Sequence, residues 1–274
     1  MKNILYIGIF VTLFASCKKE TFDIHNLNNN DIYALGHAGM GFSNLYPINS
    51  FESILACLNL DADGSEMDVQ MTLDSVLVAF HDETLDASTD LSGVVNSLTW
   101  DELKYGNYTN APYGNHSIIR LDDLFSSLEN YPGRFFTFDI KLYPSGTDVN
   151  GYYEAFANEL LDFYAKYDLY STTFIESQVP DFLDLLKAKN AEFKLYYYPQ
   201  TFEDGFNVAM DHGFTGITIS TEVTSKEQVE TAHANGLFVT LWGAYSKDKN
   251  IETIRKNPDM IQTDKIDHLV GLLK

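Results

Sequence analysis

An α/β chain folded as a closed (β/α)8 TIM barrel, with a small insertion after its second strand, follows from three features of the 274 residues. From residue 32 onward, short apolar runs alternate with amphipathic ones, which requires a parallel sheet with helical crossovers. Eight strands can be read once one hairpin arm is set aside, and each but the last is clearly followed by a helix. About 240 residues remain after the N-terminal segment, the usual size of such a barrel. A doubly wound open sheet is the alternative, but no glycine-rich nucleotide fingerprint follows the first strand.

The chain begins with Met1-Lys2-Asn3, and Ile4 to Phe14 is apolar. That run is too short for a membrane-spanning helix and reads as the core of a signal peptide. Ala15-Ser16-Cys17 closes it and resembles a bacterial lipobox, in which the cysteine is acylated. Residues 1–17 are therefore expected to be a lipoprotein signal peptide with lipidated Cys17. The product would be exported and lipid-anchored in the bacterial cell envelope, on the periplasmic face or the surface of the outer membrane. Residues 18–31 are polar and Asn-rich and read as a flexible tether to one domain, residues 32–274. The other cysteine, Cys57, falls in a helical run and is expected to be a buried thiol.

The elements follow in order. Ile32–Leu35 is a strand ending in Gly36-His37-Ala38-Gly39. Asn49 is placed to cap a helix carrying Phe51, Ile54, Leu55 and Leu58. Ser65–Thr72 is the second strand, and Val76–Phe80 runs back as a hairpin arm. Residues 83–120 are turn-rich and read as the insertion. A helix over Leu121–Leu128 leads to a strand over Phe135–Lys141. Later strands are expected at Thr172–Glu176, Lys194–Tyr198, Gly216–Ser220, Leu237–Trp242 and Met260–Thr263. Pro180 suits a first helical position, Ser225 with Gln228 makes a capping box, and Gly236 ends that helix.

The formal net charge of -21 disfavours a nucleic-acid partner. It also repels an anionic substrate, so phosphate chemistry would need local cations. Strand alternation supplies a place for them. Glu66, Asp68 and Gln70 share one face of their strand, and two acids pointing into a barrel repel unless a cation sits between them. Hard divalent cations prefer such oxygens; a solvated edge-strand face is the alternative. Thr137, Asp139 and Lys141 share one face of the strand Phe135–Lys141. Asp139 as a third metal ligand and Lys141 on a phosphate oxygen would satisfy both charges, and a plain Asp–Lys pair would do so too. His37 and His81 end strands, where barrel enzymes place catalytic groups, and histidine works as acid or base near neutrality. His25, His116, His212, His233 and His268 read as structural or surface residues.

Taken in order, these pieces resemble the glycerophosphodiester phosphodiesterase family. His37-Ala38-Gly39 stands for its His-Arg-Gly, and Pro47-Ile48-Asn49-Ser50 for its Pro-Glu-Asn-Thr. Asp61-Ala62-Asp63-Gly64-Ser65-Glu66-Met67-Asp68-Val69 and His81-Asp82-Glu83-Thr84-Leu85-Asp86 follow, then Asp139-Ile140-Lys141, Trp242 and Thr263-Asp264. The resemblance implies a phosphodiesterase that cleaves glycerophosphodiester-like substrates to a glycerol phosphate and an alcohol. His37 and His81 would be the acid/base pair. Glu66, Asp68 and Asp139 would hold Ca²⁺ or Mg²⁺, and Lys141 would steady the phosphoryl charge. Trp242 could line the substrate pocket.

Three departures bear on the substrate. Ala38 and Ala87 stand where the family has arginine, and Ile48 where it has glutamate. Losing guanidinium forks removes bidentate phosphate contacts, so either the substrate differs from a simple glycerophosphodiester, with a lysophospholipid-like head, a glycan-borne phosphodiester or a bulkier alcohol as options, or the grip on it is weaker. Two rivals remain: a phospholipase D or phosphoinositide-type lyase on the same barrel, and a weakly active phosphoester-binding lipoprotein.

Overall fold

The computed structural model describes residues 20–42, 45–109, 115–128, 131 and 133–274. Cys17 and the apolar stretch before it lie outside the described residues. Among those described, no helix is long and apolar enough to cross a membrane.

Eight parallel strands close a barrel: β1 (Tyr33–Gly36), β2 (Gly64–Met71), β5 (Phe135–Ile140), β6 (Thr173–Ser177), β7 (Lys194–Tyr197), β8 (Gly216–Ser220), β9 (Phe238–Ala244) and β10 (Met260–Thr263). Pairing of β1 with both β10 and β2 completes the ring. Helices follow the strands as crossovers: α1 (Phe51–Asn59), α4 (Val149–Tyr167), α5 (Pro180–Lys189), α6 (Phe202–His212), α7 (Lys226–Ala234) and α8 (Lys247–Ile254). The last strand also has its helix, α9 (Ile266–Leu273). The insertion is more regular than its composition suggests. It holds short helices, among them α2 (Trp100–Leu103), and returns as β4 (Ile119–Arg120), antiparallel to the hairpin arm β3 (Leu77–Ala79). Helix α3 (Leu121–Ser126) then leads into the barrel again.

Period-two alternation divides the strands into two environments. Met67, Val69, Phe136, Phe138, Ile140, Ile175, Leu195, Ile217, Ile219, Val239 and Leu241 belong to the buried layer packed with the helices. Burying each large side chain there contributes roughly 1.5–3 kcal/mol, which offsets the cost of a polar interior. Inside the barrel, Leu35, Phe174, Tyr196 and Met260 form an apolar plug with Tyr33, Phe135 and Phe238 around it. Two residues further along the same strands the interior turns polar, at Thr137, Glu176, Tyr198, Thr240 and Gln262. The plug thus closes one end and leaves the chemistry at the carboxyl ends of the strands, as barrel geometry favours. Gly64 permits the β2–β5 contact: a Cβ there would lie 1.6 Å from the Phe135 carbonyl oxygen.

Two expectations are corrected. Ser50, not Asn49, caps α1, its hydroxyl accepting from the Ser53 amide at 3.2 Å. Asn49 is fully buried and turned toward the barrel. The described part of the expected tether, residues 20–31, lies against the barrel. Phe22 and Ile24 pack beside α8 and α9. The Leu27 amide donates to Asp259 at 2.9 Å, and the Asn26 side chain donates to the Pro258 carbonyl at 3.0 Å. A composition rich in asparagine reads as solvated coil, yet here the amides satisfy backbone groups at the barrel's base.

Candidate active site

Parallel pairing of β2 with β5 sets Asp68 directly beside Asp139. Glu66 lies two residues earlier on the same inner face. The three carboxylates offer oxygens that all lie within 4.8 Å of one another. All are buried, at 2% exposure for Glu66 and Asp68 and 7% for Asp139. Lys141 bridges two of them, 2.6 Å from Asp139 and 3.0 Å from Asp68.

Each carboxylate is held by the chain around it. The Ala38 amide donates to Glu66 at 2.7 Å. Asn49 clamps Asp68 twice, its Nδ2 donating to the carboxylate at 2.7 Å and its Oδ1 accepting from the Asp68 amide at 3.0 Å. Truncating Asn49 to alanine strands both of those buried groups. It is expected to cost about 1–3 kcal/mol, read as a lower thermal midpoint, together with a fall in whatever turnover the Asp68 carboxylate supports.

Both histidines sit at the rim. His37 Nδ1 contacts Asp264 at 2.8 Å, and His81 Nδ1 contacts Asp82 at 2.9 Å. In each pair the carboxylate fixes the ring and leaves Nε2 for a proton transfer. Gly41, at φ +80, brings the loop against Asp264, where a Cβ would lie 2.4 Å from the Asp264 Cα. Asp82 is braced in turn by the Ser88 hydroxyl at 2.8 Å, and Gln70 Nε2 donates to the Phe80 and Asp82 carbonyls at 2.8 and 2.9 Å. Phe42 stands between the two rings, with centroids 5.2 Å from His37 and 5.7 Å from His81.

These groups share one cavity of about 220 Å³, which also includes Glu176, Tyr198, Trp242 and Gln262. All seven residues singled out within the barrel by sequence therefore meet in one place: His37, Glu66, Asp68, His81, Asp139, Lys141 and Trp242. Glu176 was not anticipated. It is 1% exposed and accepts from Thr218 at 2.6 Å and from Gln262 at 3.1 Å. A lone acid inside the buried Thr-Phe-Ile-Glu-Ser strand was the available signal. Trp242 packs against Tyr198 at 5.6 Å, and its buried Nε1 has no hydrogen-bond partner among the described residues.

The electrostatics are those of an acidic cavity with one resident cation. Burial, then Asp68, Glu176 and Asp139, push the Glu66 carboxyl well above the ordinary glutamate range. Burial likewise raises Asp139 despite Lys141, and burial with Asp139 nearby lifts Glu176 to about 8. Asp68 is the exception: burial opposes its charge, but Lys141, His81 and Asn49 outweigh that and hold it below the usual range. Burial also opposes the charge of Lys141, yet Asp68 and Asp139 push its pKa above the ordinary lysine value. Four acids facing one lysine leave uncompensated negative charge, and three of them converge as hard oxygen donors. That donor set fits a divalent cation of the Ca²⁺ or Mg²⁺ kind.

The other histidines are engaged away from this cavity. His233 Nε2 meets the buried Asp259 at 2.9 Å and His212 meets Asp184 at 2.6 Å. Cys57 is buried in α1, and burial pushes its thiol up to about 12.

Comparison with known proteins agrees with the fold. Residues 40–268 match the model of the glycerophosphoryl diester phosphodiesterase family. A glycerophosphodiester phosphodiesterase of Bacillus altitudinis is 36% identical over 92 residues, 34% of this chain and 38% of that protein. The lysophospholipase D GDPD3 of Homo sapiens is 26% identical over 173 residues, 60% of this chain and 50% of that one. The matched stretches thus span half or less of these relatives' own length. Among solved structures, a phosphodiesterase of Oleispira antarctica in complex with the product sn-glycerol-3-phosphate superposes with a TM-score of 0.76. It is 19% identical, over 87% of this chain and 95% of that one. A glycerophosphodiester phosphodiesterase of Parabacteroides distasonis gives a TM-score of 0.74 at 20% identity, over 89% and 97% of the two chains. By the extent of the family match, and with the barrel and its carboxylate cluster in place, the chain belongs to the glycerophosphoryl diester phosphodiesterase family.

Proposed function

We propose that the chain is a metal-dependent phosphodiesterase, hydrolysing glycerophosphodiester-like substrates to a glycerol phosphate and an alcohol by acid/base catalysis at His37 and His81. The observation that carries this reading is the single cavity in which two carboxylate-braced imidazoles face three converging acids and Lys141. The sn-glycerol-3-phosphate held by the Oleispira antarctica neighbour supports the same substrate class.

Glu66, Asp68 and Asp139 would hold the cation, Ca²⁺ or Mg²⁺, which when bound supplies positive charge against the phosphate oxygens. Lys141, already drawn to Asp68 and Asp139, adds the second positive charge. One histidine takes the proton of the glycerol hydroxyl beside the phosphate, and that oxygen attacks phosphorus. The P–O bond to the alcohol breaks, and the other histidine gives its proton to the departing oxygen. Water then opens the cyclic phosphate with the two roles exchanged. Asp264 and Asp82 act as positioning residues, each holding Nδ1 so that Nε2 carries the proton.

Export and lipid anchoring through Cys17 belong to the same proposal. Glu20, three residues on, pairs with Arg255 just after α8.

The test is a panel of sn-glycero-3-phospho esters (choline, ethanolamine and inositol) assayed with Ca²⁺ or Mg²⁺, with product analysis by ³¹P NMR. Glycerol phosphate plus free alcohol is expected. Accumulation of the cyclic phosphate alone would assign a lyase, and no cleavage of any diester would leave a binding protein.

A further inference from the structure

A second pocket opens beside the first. It has a volume of about 150 Å³ and shares Phe42 and His81 with the carboxylate cavity. The rest of its wall is mostly apolar: Pro47, Ile48, Phe80, Ala87 and Tyr108. Asp82 and Ser88 also border it, but they are committed to each other and to His81, at 2.8 and 2.9 Å. One polar atom is left over. Tyr108 is 6% exposed, and its hydroxyl is buried with no hydrogen-bond partner among the described residues. Such a hydroxyl is costly unless something supplies a partner.

From this arrangement, and resting on the phosphodiesterase reading, we propose that the pocket takes the leaving group. It selects a neutral alcohol with a compact apolar body and one oxygen within reach of Tyr108. Four arguments converge. The pocket touches the site through His81, so a group seated in it leaves from an oxygen that this imidazole can protonate. A cavity of roughly 150 Å³ has room for one six-membered hydrocarbon ring, which sets the size at about six carbons. Among the described residues, no lysine or arginine lines it to pair with an anionic head. Ile48 and Ala87, two of the three positions where the chain lacks the family's charged side chains, are both in its wall. The change at those positions is thus a change of pocket chemistry, from charged to apolar, next to a general acid. Phe42, half exposed between the two imidazoles, is the partition that separates the phosphate side from the alcohol side.

The experiment compares glycerophospho esters of methanol, propanol, hexanol, benzyl alcohol and choline on the metal-loaded full chain. Expected is a rise in kcat/KM of about threefold for each methylene buried, levelling near six carbons, with the hexyl and benzyl esters at least about tenfold above choline. In Ala87→Arg the hexyl-to-methyl ratio is expected to fall toward one. A flat series, or choline as the best ester, overturns the proposal while leaving the phosphodiesterase reading intact. A readout free of turnover separates the two. With ¹³C-methyl-labelled isoleucine, benzyl alcohol should shift the Ile48 resonance and leave the core residue Ile54 unmoved, and glycerol should shift neither. If no diester is cleaved, the phosphodiesterase reading falls. The pocket then stands on that shift, and an unmoved Ile48 overturns it.

Discussion

His37→Ala and His81→Ala are each expected to lower kcat/KM for a glycerophosphodiester by about two to four orders of magnitude. The size follows from the geometry. The attacking hydroxyl and the leaving oxygen each need a proton moved in the same passage, and the described cavity has two imidazoles to move them. Neither change should unfold the chain. The two side chains are 22% and 39% exposed, so truncation opens no cavity in the core. Because the two rings serve one displacement, the double variant should be little worse than the poorer single one. Asp264→Asn and Asp82→Asn should cost less, and chiefly in kcat, since they disturb the tautomer and orientation of a ring rather than remove it. Near-normal turnover in either alanine variant would reject the acid/base assignment. A midpoint of unfolding within a few degrees of the parent would show that a loss of rate is not a loss of fold.

Much of this site was legible because it is written in strand alternation. In Glu66-Met67-Asp68-Val69 and Thr137-Phe138-Asp139-Ile140, the apolar residues had to meet the helices, so the acids had to face inward. Asn49 was misread for a local reason. It stands one residue before the true cap, and cap chemistry suits serine and asparagine about equally. Only the tertiary contact with Asp68 shows which of the two is needed elsewhere. Glu176 was silent because a single acid in a strand has no near partner to signal repulsion; its neighbours Thr218 and Gln262 come from β8 and β10. The brace on His37 was hidden in the same way, since Asp264 lies 227 positions from it. Residues 83–120 lack periodicity, and β4 forms through a register with β3 that no local pattern specifies. The side pocket depends on that insertion. Ala87 and Tyr108 both lie in it and meet Ile48 only after folding.

Withdrawing the divalent cation should abolish turnover and also make the protein less stable, by an amount that depends on pH. In the metal-free chain, burial and mutual repulsion hold Glu66 and Asp139 above their ordinary values and Glu176 at about 8. Their folded-state pKa values are raised. The stability they contribute is therefore complete below the ordinary carboxyl range and is lost as pH rises, through about 8 in the case of Glu176. Asp68 runs the other way, since its depressed pKa favours the folded state above that range and ceases to do so on acidification. Raised acids outnumber it, so the metal-free protein should weaken between about pH 5 and 8. A cation at Glu66, Asp68 and Asp139 must displace the protons held there, so its affinity should increase across the same interval. At a hundredfold excess over its Kd, the stabilisation is about 2.7 kcal/mol, roughly 5–10 °C in Tm for a chain of this size. Thermal melts with EDTA, Ca²⁺ and Mg²⁺ at pH 5.5 and 8 measure both effects, and the cation-induced rise should be clearly larger at pH 8. Glu66→Gln with Asp139→Asn should erase that rise and flatten the decline of the EDTA-treated protein with pH. An undiminished rise in that double variant would place the cation somewhere other than the carboxylate cluster.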